Sequence, residues 1–172
     1  MGMTLALPVQ ALTREAFAPF GDVISTEGAK SFPVDNGRTE RYHALARVDI
    51  LGEREGEGDA AIVSIFRGQP LAPPIIATME RYPLGSQALM PLIDLPYWVV
   101  VAPPGEFDPT AICAFLAEGK QGVNYRPGTW HAPLLPIFPN SDFLVVDRHG
   151  TDQNVDTVTL DQPRHLVKAS SF

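Results

Sequence analysis

The run Tyr97-Trp98-Val99-Val100-Val101 is aromatic and β-branched from end to end. Such side chains lose rotamer freedom in a helix and pack well on a pleated surface, so the run reads as a buried strand. Two further segments repeat the signal: Ile62-Val63-Ser64-Ile65-Phe66 and Phe143-Leu144-Val145-Val146. Around them, 17 prolines and 14 glycines are spread through the chain rather than gathered in one linker. They cut it into pieces of about five to eight residues, too short for a helix bundle. Helix is expected at two places. Residues 13–18 form a short one, ended by Pro19 and Gly21. Residues 108–119 open with Asp108 as N-cap and Pro109 at the first helical position, put Ile112, Phe115 and Leu116 on one face, and stop at Gly119. These elements make a mostly antiparallel β domain with one or two short helices, and a closed barrel or jelly roll is the economical way to manage so many short strands.

The 172 residues suit one domain, 1–172, with a polar C-terminal tail (162–172) that wraps the surface or frays. At 45% hydrophobic and 19% charged residues, the chain has enough apolar surface to offset its ordering entropy, which excludes wholesale disorder. A formal net charge of −7 argues against a surface that tracks nucleic-acid phosphates. The most apolar stretch, 95–102, is far shorter than the ~20 residues of a spanning helix. The opening MGMTLALPVQAL lacks a basic n-region and is interrupted by Pro8, so it does not read as a signal peptide. A soluble cytoplasmic protein without membrane or nucleic-acid partners is the expectation. The single cysteine, Cys113, reads as a small buried apolar residue. The acidic stretch EREGEGD (53–59) reads as a solvated loop between strands.

The sequence contains no GxGxxG after a strand, no GxxxxGK[ST], no GxSxG and no HExxH. The four histidines lie far apart, so a histidine-based metal site would have to be assembled from distant strands. What remains is a set of polar residues embedded in apolar strands and tight turns. In Met79-Glu80-Arg81-Tyr82, alternation puts Glu80 and Tyr82 on one strand face. In Tyr125-Arg126-Pro127-Gly128-Thr129-Trp130-His131, the Pro-Gly pair marks a turn just ahead of His131. The strand 141–148 ends in Asp147-Arg148, Asn36-Gly37 precedes Arg41, and Arg67 follows Phe66. Each has a purely structural alternative: Glu80 pairing with Arg81 at the surface, Asp147 and Arg148 closing a barrel end, His131 bonding a core carbonyl, Asn36-Gly37 forming a turn, and Arg67 holding a loop.

In order and content, AFAPFGDVI (16–24), DNGRTERYHALA (35–46), SIFRGQP (64–70), MERYPLGSQALMPL (79–92), AFLAEGKQGVNYRPGTWHAPL (114–134) and DFLVVDR (142–148) resemble the ureidoglycolate lyase family. The resemblance implies a cupin-like double-stranded β-helix, a homodimer, and cleavage of ureidoglycolate into glyoxylate and urea in allantoin catabolism. It also makes 79–92 similar to a degraded first cupin motif, with Glu80, Tyr82 and Gln87 near ligand positions. Residues 122–133 resemble the second cupin motif, ending at His131. The family pattern usually carries histidine where this chain has Tyr82, and often a second one where it has Ala132.

Ureidoglycolate carries a hydroxyl, a carboxylate and a urea nitrogen on one carbon. Cleavage needs a base for the hydroxyl proton, an acid for the leaving nitrogen, a cationic fork for the carboxylate and amide-type partners for the urea end. The expected base is His131, with Glu80 as its proton-carrying partner. Arg41, Arg67 and Arg148 are the candidates for the carboxylate. Asn36, Gln87, Tyr82, Tyr125, Trp130 and Asp147 complete the substrate-contacting set. No organic cofactor is required. A divalent metal on Glu80, Gln87 and His131, serving another cupin reaction, is the first alternative, and a non-catalytic glyoxylate-binding barrel is the second. The irregular apolar stretch Leu134-Leu135-Pro136-Ile137-Phe138 is expected to cover a dimer partner rather than form a core strand, with a core-lining loop as the alternative.

Overall fold

The computed structural model describes residues 2–52, 59–150 and 154–169. In chain order the elements are β1 (Leu5–Ala11), α1 (Arg14–Phe17), β2 (Gly21–Ile24), β3 (Ser31–Val34), β4 (Thr39–Tyr42), β5 (Ala60–Gly68), β6 (Ile75–Arg81) and β7 (Gln87–Pro91). They continue with β8 (Tyr97–Ala102), β9 (Cys113–Ala117), β10 (Gly122–Tyr125), β11 (Trp130–His131), β12 (Leu135–Pro136), β13 (Ser141–His149) and β14 (Asp156–Lys168). Strands β11, β6, β14, β1, β9 and β8 follow one another by hydrogen bonds, and β11 closes back on β8, making a six-strand barrel with β12 beside β8. A five-stranded sheet in the order β2-β10-β7-β13-β5 packs against it, and β3 and β4 form a separate hairpin. The architecture is the mainly β, closed-barrel class expected.

β8 belongs to both cores, which is why its sequence is apolar at every position. Tyr97, Val99 and Val101 pack with Phe17 and Phe115 in a core shared with the five-stranded sheet. Val100 and Ala102 pack with Met79, Leu160 and Trp130 in a second core drawn from all six barrel strands. Each fully buried valine of this kind contributes about 1.5–3 kcal/mol of apolar burial.

The short helix at 13–18 is present as α1, with the Thr13 side chain accepting from the backbone N–H of Ala16 at 3.1 Å. The helix expected over 108–119 is not. Asp108 does cap a turn, accepting from the Thr110 N–H at 2.8 Å, but only Pro109–Ala111 is helical, as a single 3-10 turn. Ile112 then turns extended and Cys113–Ala117 becomes a strand between β1 and β8. The tail expected over 162–172 is likewise corrected as far as Lys168: it is the second half of β14, paired in parallel with β1 from Arg164 to Lys168. The stretch 134–138 is partly a strand after all, because Leu135 and Pro136 pair with Trp98 and Tyr97, and Leu135 is buried while Phe138 is exposed. Most of the acidic stretch 53–59 lies outside the described residues. Its last member, Asp59, accepts an ion-paired hydrogen bond from Arg148 at 2.9 Å.

Candidate active site

The site begins at the turn the sequence announces. Pro127 and Gly128 (φ +81°) are the central residues of a turn closed by the Thr129 N–H donating to the Arg126 carbonyl at 3.0 Å. Proline at the first central position and a positive-φ glycine at the second are the requirements of a type II turn. The Gly128 N–H donates to the Tyr82 carbonyl at 2.9 Å, which hangs the turn on the end of β6. The two-residue strand that follows lies between β6 and β8, with His131 opposite Glu80. Because neighbouring strand residues point to opposite faces, Trp130 enters the barrel core and His131 faces the other way.

His131 is 2% exposed. Tyr125 lies flat against its ring, centroids 4.3 Å apart and planes within 9°, and Tyr82 approaches at 5.3 Å. The Nδ1–H donates to the Thr129 carbonyl at 3.0 Å, which leaves the lone pair on Nε2. Nε2 has no hydrogen-bond partner and faces Glu80 Oε1 at 3.8 Å. Burial opposes a charged imidazole and outweighs the Thr129 carbonyl's pull, so the His131 pKa falls to about 4. At neutral pH it is an uncharged base with one defined acceptor atom.

Glu80 is less enclosed, and its Oε1 accepts from the Tyr82 hydroxyl at 3.3 Å. Burial first, and then the Glu80 charge, pushes the Tyr82 phenol up to about 12, so it remains a donor. Tyr82 also lines a cavity of about 240 Å³, together with Gln87, Asp147, Arg148 and Phe66. Across it, the Gln87 amide nitrogen donates to Asp147 Oδ2 at 3.1 Å, leaving the amide oxygen to accept. The histidine–carboxylate pair and the amide–carboxylate pair therefore meet at Tyr82.

The structure brings together His131, Glu80, Tyr82, Tyr125, Gln87, Asp147 and Arg148. The other four candidates it places elsewhere. Arg67 makes a two-pronged pair with Asp142, at 2.8 and 2.9 Å, on the exposed end of β5. Arg41 is exposed on the β3–β4 hairpin. Asn36 sits in the turn between these strands with left-handed φ and ψ of 57° and 36°, as its turn reading requires. Trp130 is a core residue whose indole N–H donates to the Gly105 carbonyl at 3.0 Å, with Arg81 stacked 4.5 Å from its ring. Sequence reading missed two supporting residues. Asp59 was hidden in an acidic run that resembled any solvated loop. Thr129 acts on the histidine through its backbone, which no side-chain pattern signals.

Nε2 and Glu80 Oε1 each present a lone pair across their gap. A substrate hydroxyl, or a divalent cation with bonds of about 2.1 Å, could span it. Gln87 could add an amide oxygen to such an ion. No cluster of three or more His, Cys, Asp or Glu that could hold a metal occurs among the described residues.

A closed β barrel with a buried neutral histidine facing a carboxylate beside a polar cavity has the groups that an enzyme moving protons on a small molecule requires. The chain belongs to the ureidoglycolate lyase family, whose model matches residues 4–167. A ureidoglycolate lyase from Burkholderia cepacia is 53% identical over 163 residues, covering 94% of this chain and 90% of its own. One from Pseudomonas paraeruginosa is 52% identical over 152 residues, covering 87% and 88%. Among solved structures, a Bacillus subtilis oxalate decarboxylase aligns with a TM-score of 0.35 at 11% identity, covering 62% of this chain and 29% of that one. Nothing about activity follows from a likeness of that size.

Proposed function

We infer that this chain is a ureidoglycolate lyase, splitting the carbon–nitrogen bond of ureidoglycolate to give glyoxylate and urea. The observation that carries the reading is the match to that family over residues 4–167, a span that holds every residue of the cavity and of the histidine–carboxylate pair. In the proposed reaction His131 Nε2 takes the proton of the substrate hydroxyl as the carbonyl of glyoxylate forms. The carbon–nitrogen bonding pair leaves with the urea nitrogen, and Glu80, across the gap, takes that same proton from His131 Nε2 and passes it to the leaving nitrogen. No electrons are gained or lost. Arg148 is the arginine candidate that borders the cavity and is the one proposed for the carboxylate. Gln87, oriented by Asp147, is proposed for the urea end, where its amide oxygen suits an N–H donor. The pathway proposed is allantoin and purine breakdown, in the cytoplasm; among the described residues no helix is long and apolar enough to cross a membrane.

A homodimer is part of the same reading. It is supported by exposed Phe138 and by the edge strand β5, on which Val63, Ile65 and Phe66 are exposed, since an apolar edge strand favours pairing with another chain. A second reading, a divalent ion between His131 and Glu80, is favoured by the partnerless Nε2. The test is a coupled assay for glyoxylate and urea from racemic ureidoglycolate, run on protein analysed for bound metal. Equal release of both products supports the lyase reading, and absence of either removes it. Stoichiometric metal needed for turnover would move the chemistry to the second reading.

A further inference from the structure

His131 is held by a residue that acts on it through a backbone carbonyl. Thr129 is 1% exposed. Its hydroxyl donates to the Phe20 carbonyl at 2.8 Å, and its own carbonyl receives the His131 Nδ1–H. The Phe20 carbonyl also accepts the Arg126 N–H at 3.1 Å, so one oxygen secures both ends of the turn from Arg126 to Thr129. Phe20 is itself fixed. Its N–H donates to the Phe17 carbonyl at 2.9 Å, and its ring packs against Phe17 and Phe115. The next residue, Gly21, pairs with Tyr125, and a Cβ there would lie 1.8 Å from the Asn124 carbonyl oxygen. The segment after α1 is thus pressed onto the strand that stacks Tyr125 on the imidazole.

We propose that Thr129 is a positioning residue, and that its hydroxyl, anchored on the Phe20 carbonyl, holds its own carbonyl where it selects the Nδ1–H tautomer of His131. The reason is geometric. A backbone carbonyl in a turn can rotate away from a ring nitrogen unless something fixes the peptide plane. Here the Thr129 N–H is used to close the turn and the hydroxyl ties the same residue to a rigid neighbour. Fixing the tautomer fixes which nitrogen is the base. The kinetic part of this inference rests on the lyase reading, whereas the tautomer does not.

Imidazole nitrogen chemical shifts in the wild-type protein at pH 7 give the first test. A neutral His131 protonated at Nδ1 is expected, and an Nε2–H ring would overturn the proposal without any variant. Thr129→Val keeps the shape and removes the donor. It is expected to show a mixture of tautomers and to lower kcat roughly 10- to 100-fold with little change in KM, as for a displaced catalytic group. Thr129→Ser is expected to restore both signals. A folded Thr129→Val protein with the wild-type tautomer and kcat would overturn the proposal. If the tautomers behave as expected in a protein that releases no urea, the positioning role stands and the lyase reading falls.

Discussion

Tyr125 covers one face of the His131 ring, with planes within 9° of parallel, so the imidazole meets the rest of the site through its Nε2 edge. Burial favours the neutral ring and outweighs the Thr129 carbonyl, which by itself would favour the charged one. The consequence reaches stability as well as reactivity. The folded-state pKa of about 4 lies below the ordinary 6.5, so between these values the unfolded chain binds more protons than the folded one. Stability therefore falls as pH drops from about 6.5 to about 4, by up to about 3 kcal/mol from this group. Urea unfolding at pH 7 and pH 4.5 checks it: His131→Gln is expected to lose less stability on acidification than the wild type, and equal losses would refute the buried neutral ring.

Glu80→Gln keeps the shape and a hydrogen-bond acceptor for Tyr82 while removing the carboxyl that exchanges protons. A fall in kcat of roughly 10²–10⁴-fold is expected, the usual contribution of a positioned acid or base, together with loss of one limb of the pH–rate profile. A retained bell-shaped profile at near-normal rate would assign Glu80 to structure.

The arginines separate by location. Arg67→Lys changes an exposed pair with Asp142 and is expected to leave KM within twofold of wild type. Arg148→Lys loses the planar fork at a buried position bordering the cavity and is expected to raise KM at least roughly tenfold. Steady-state kinetics on the two variants decide it, and the reverse ranking would point to Arg67 as the carboxylate group.

Gly21→Ala places a methyl group against backbone rather than a movable side chain. β2 and β10 would have to part, so a loss of several kcal/mol is expected, at the diagnostic end of single substitutions. Thermal unfolding measures it, and a melting temperature within a degree of wild type would mean the two strands are not so closely apposed.

Much of the architecture was legible because β-branched runs such as 97–101 and 143–146 have few other uses, and because Pro127-Gly128 encodes its own turn. Residues 108–119 were misread because β9 carries apolar residues on both faces. Ala114 lies in one core, Phe115 and Ala117 in the other, and Leu116 is apolar though exposed, so the strand presents apolar residues at helical spacings. The second half of β14 was missed because Pro163 and a register shift between Thr159 and Arg164 interrupt the alternation that Val158 and Leu160 begin. At the site, Glu80, Tyr82 and His131 followed from strand alternation and the turn. Trp130, expected to contact substrate, packs in the barrel core, and a two-residue strand shows no alternation from which to read that.

The central claim is that His131 receives the substrate proton, and the most direct measurement is the kcat for release of glyoxylate and urea by His131→Ala, with folding confirmed by circular dichroism. The account predicts a folded protein whose kcat is lower by roughly 10²–10⁴-fold. A folded His131→Ala protein turning over within a few-fold of wild type would contradict it and pass the role to Asp147 or Tyr82.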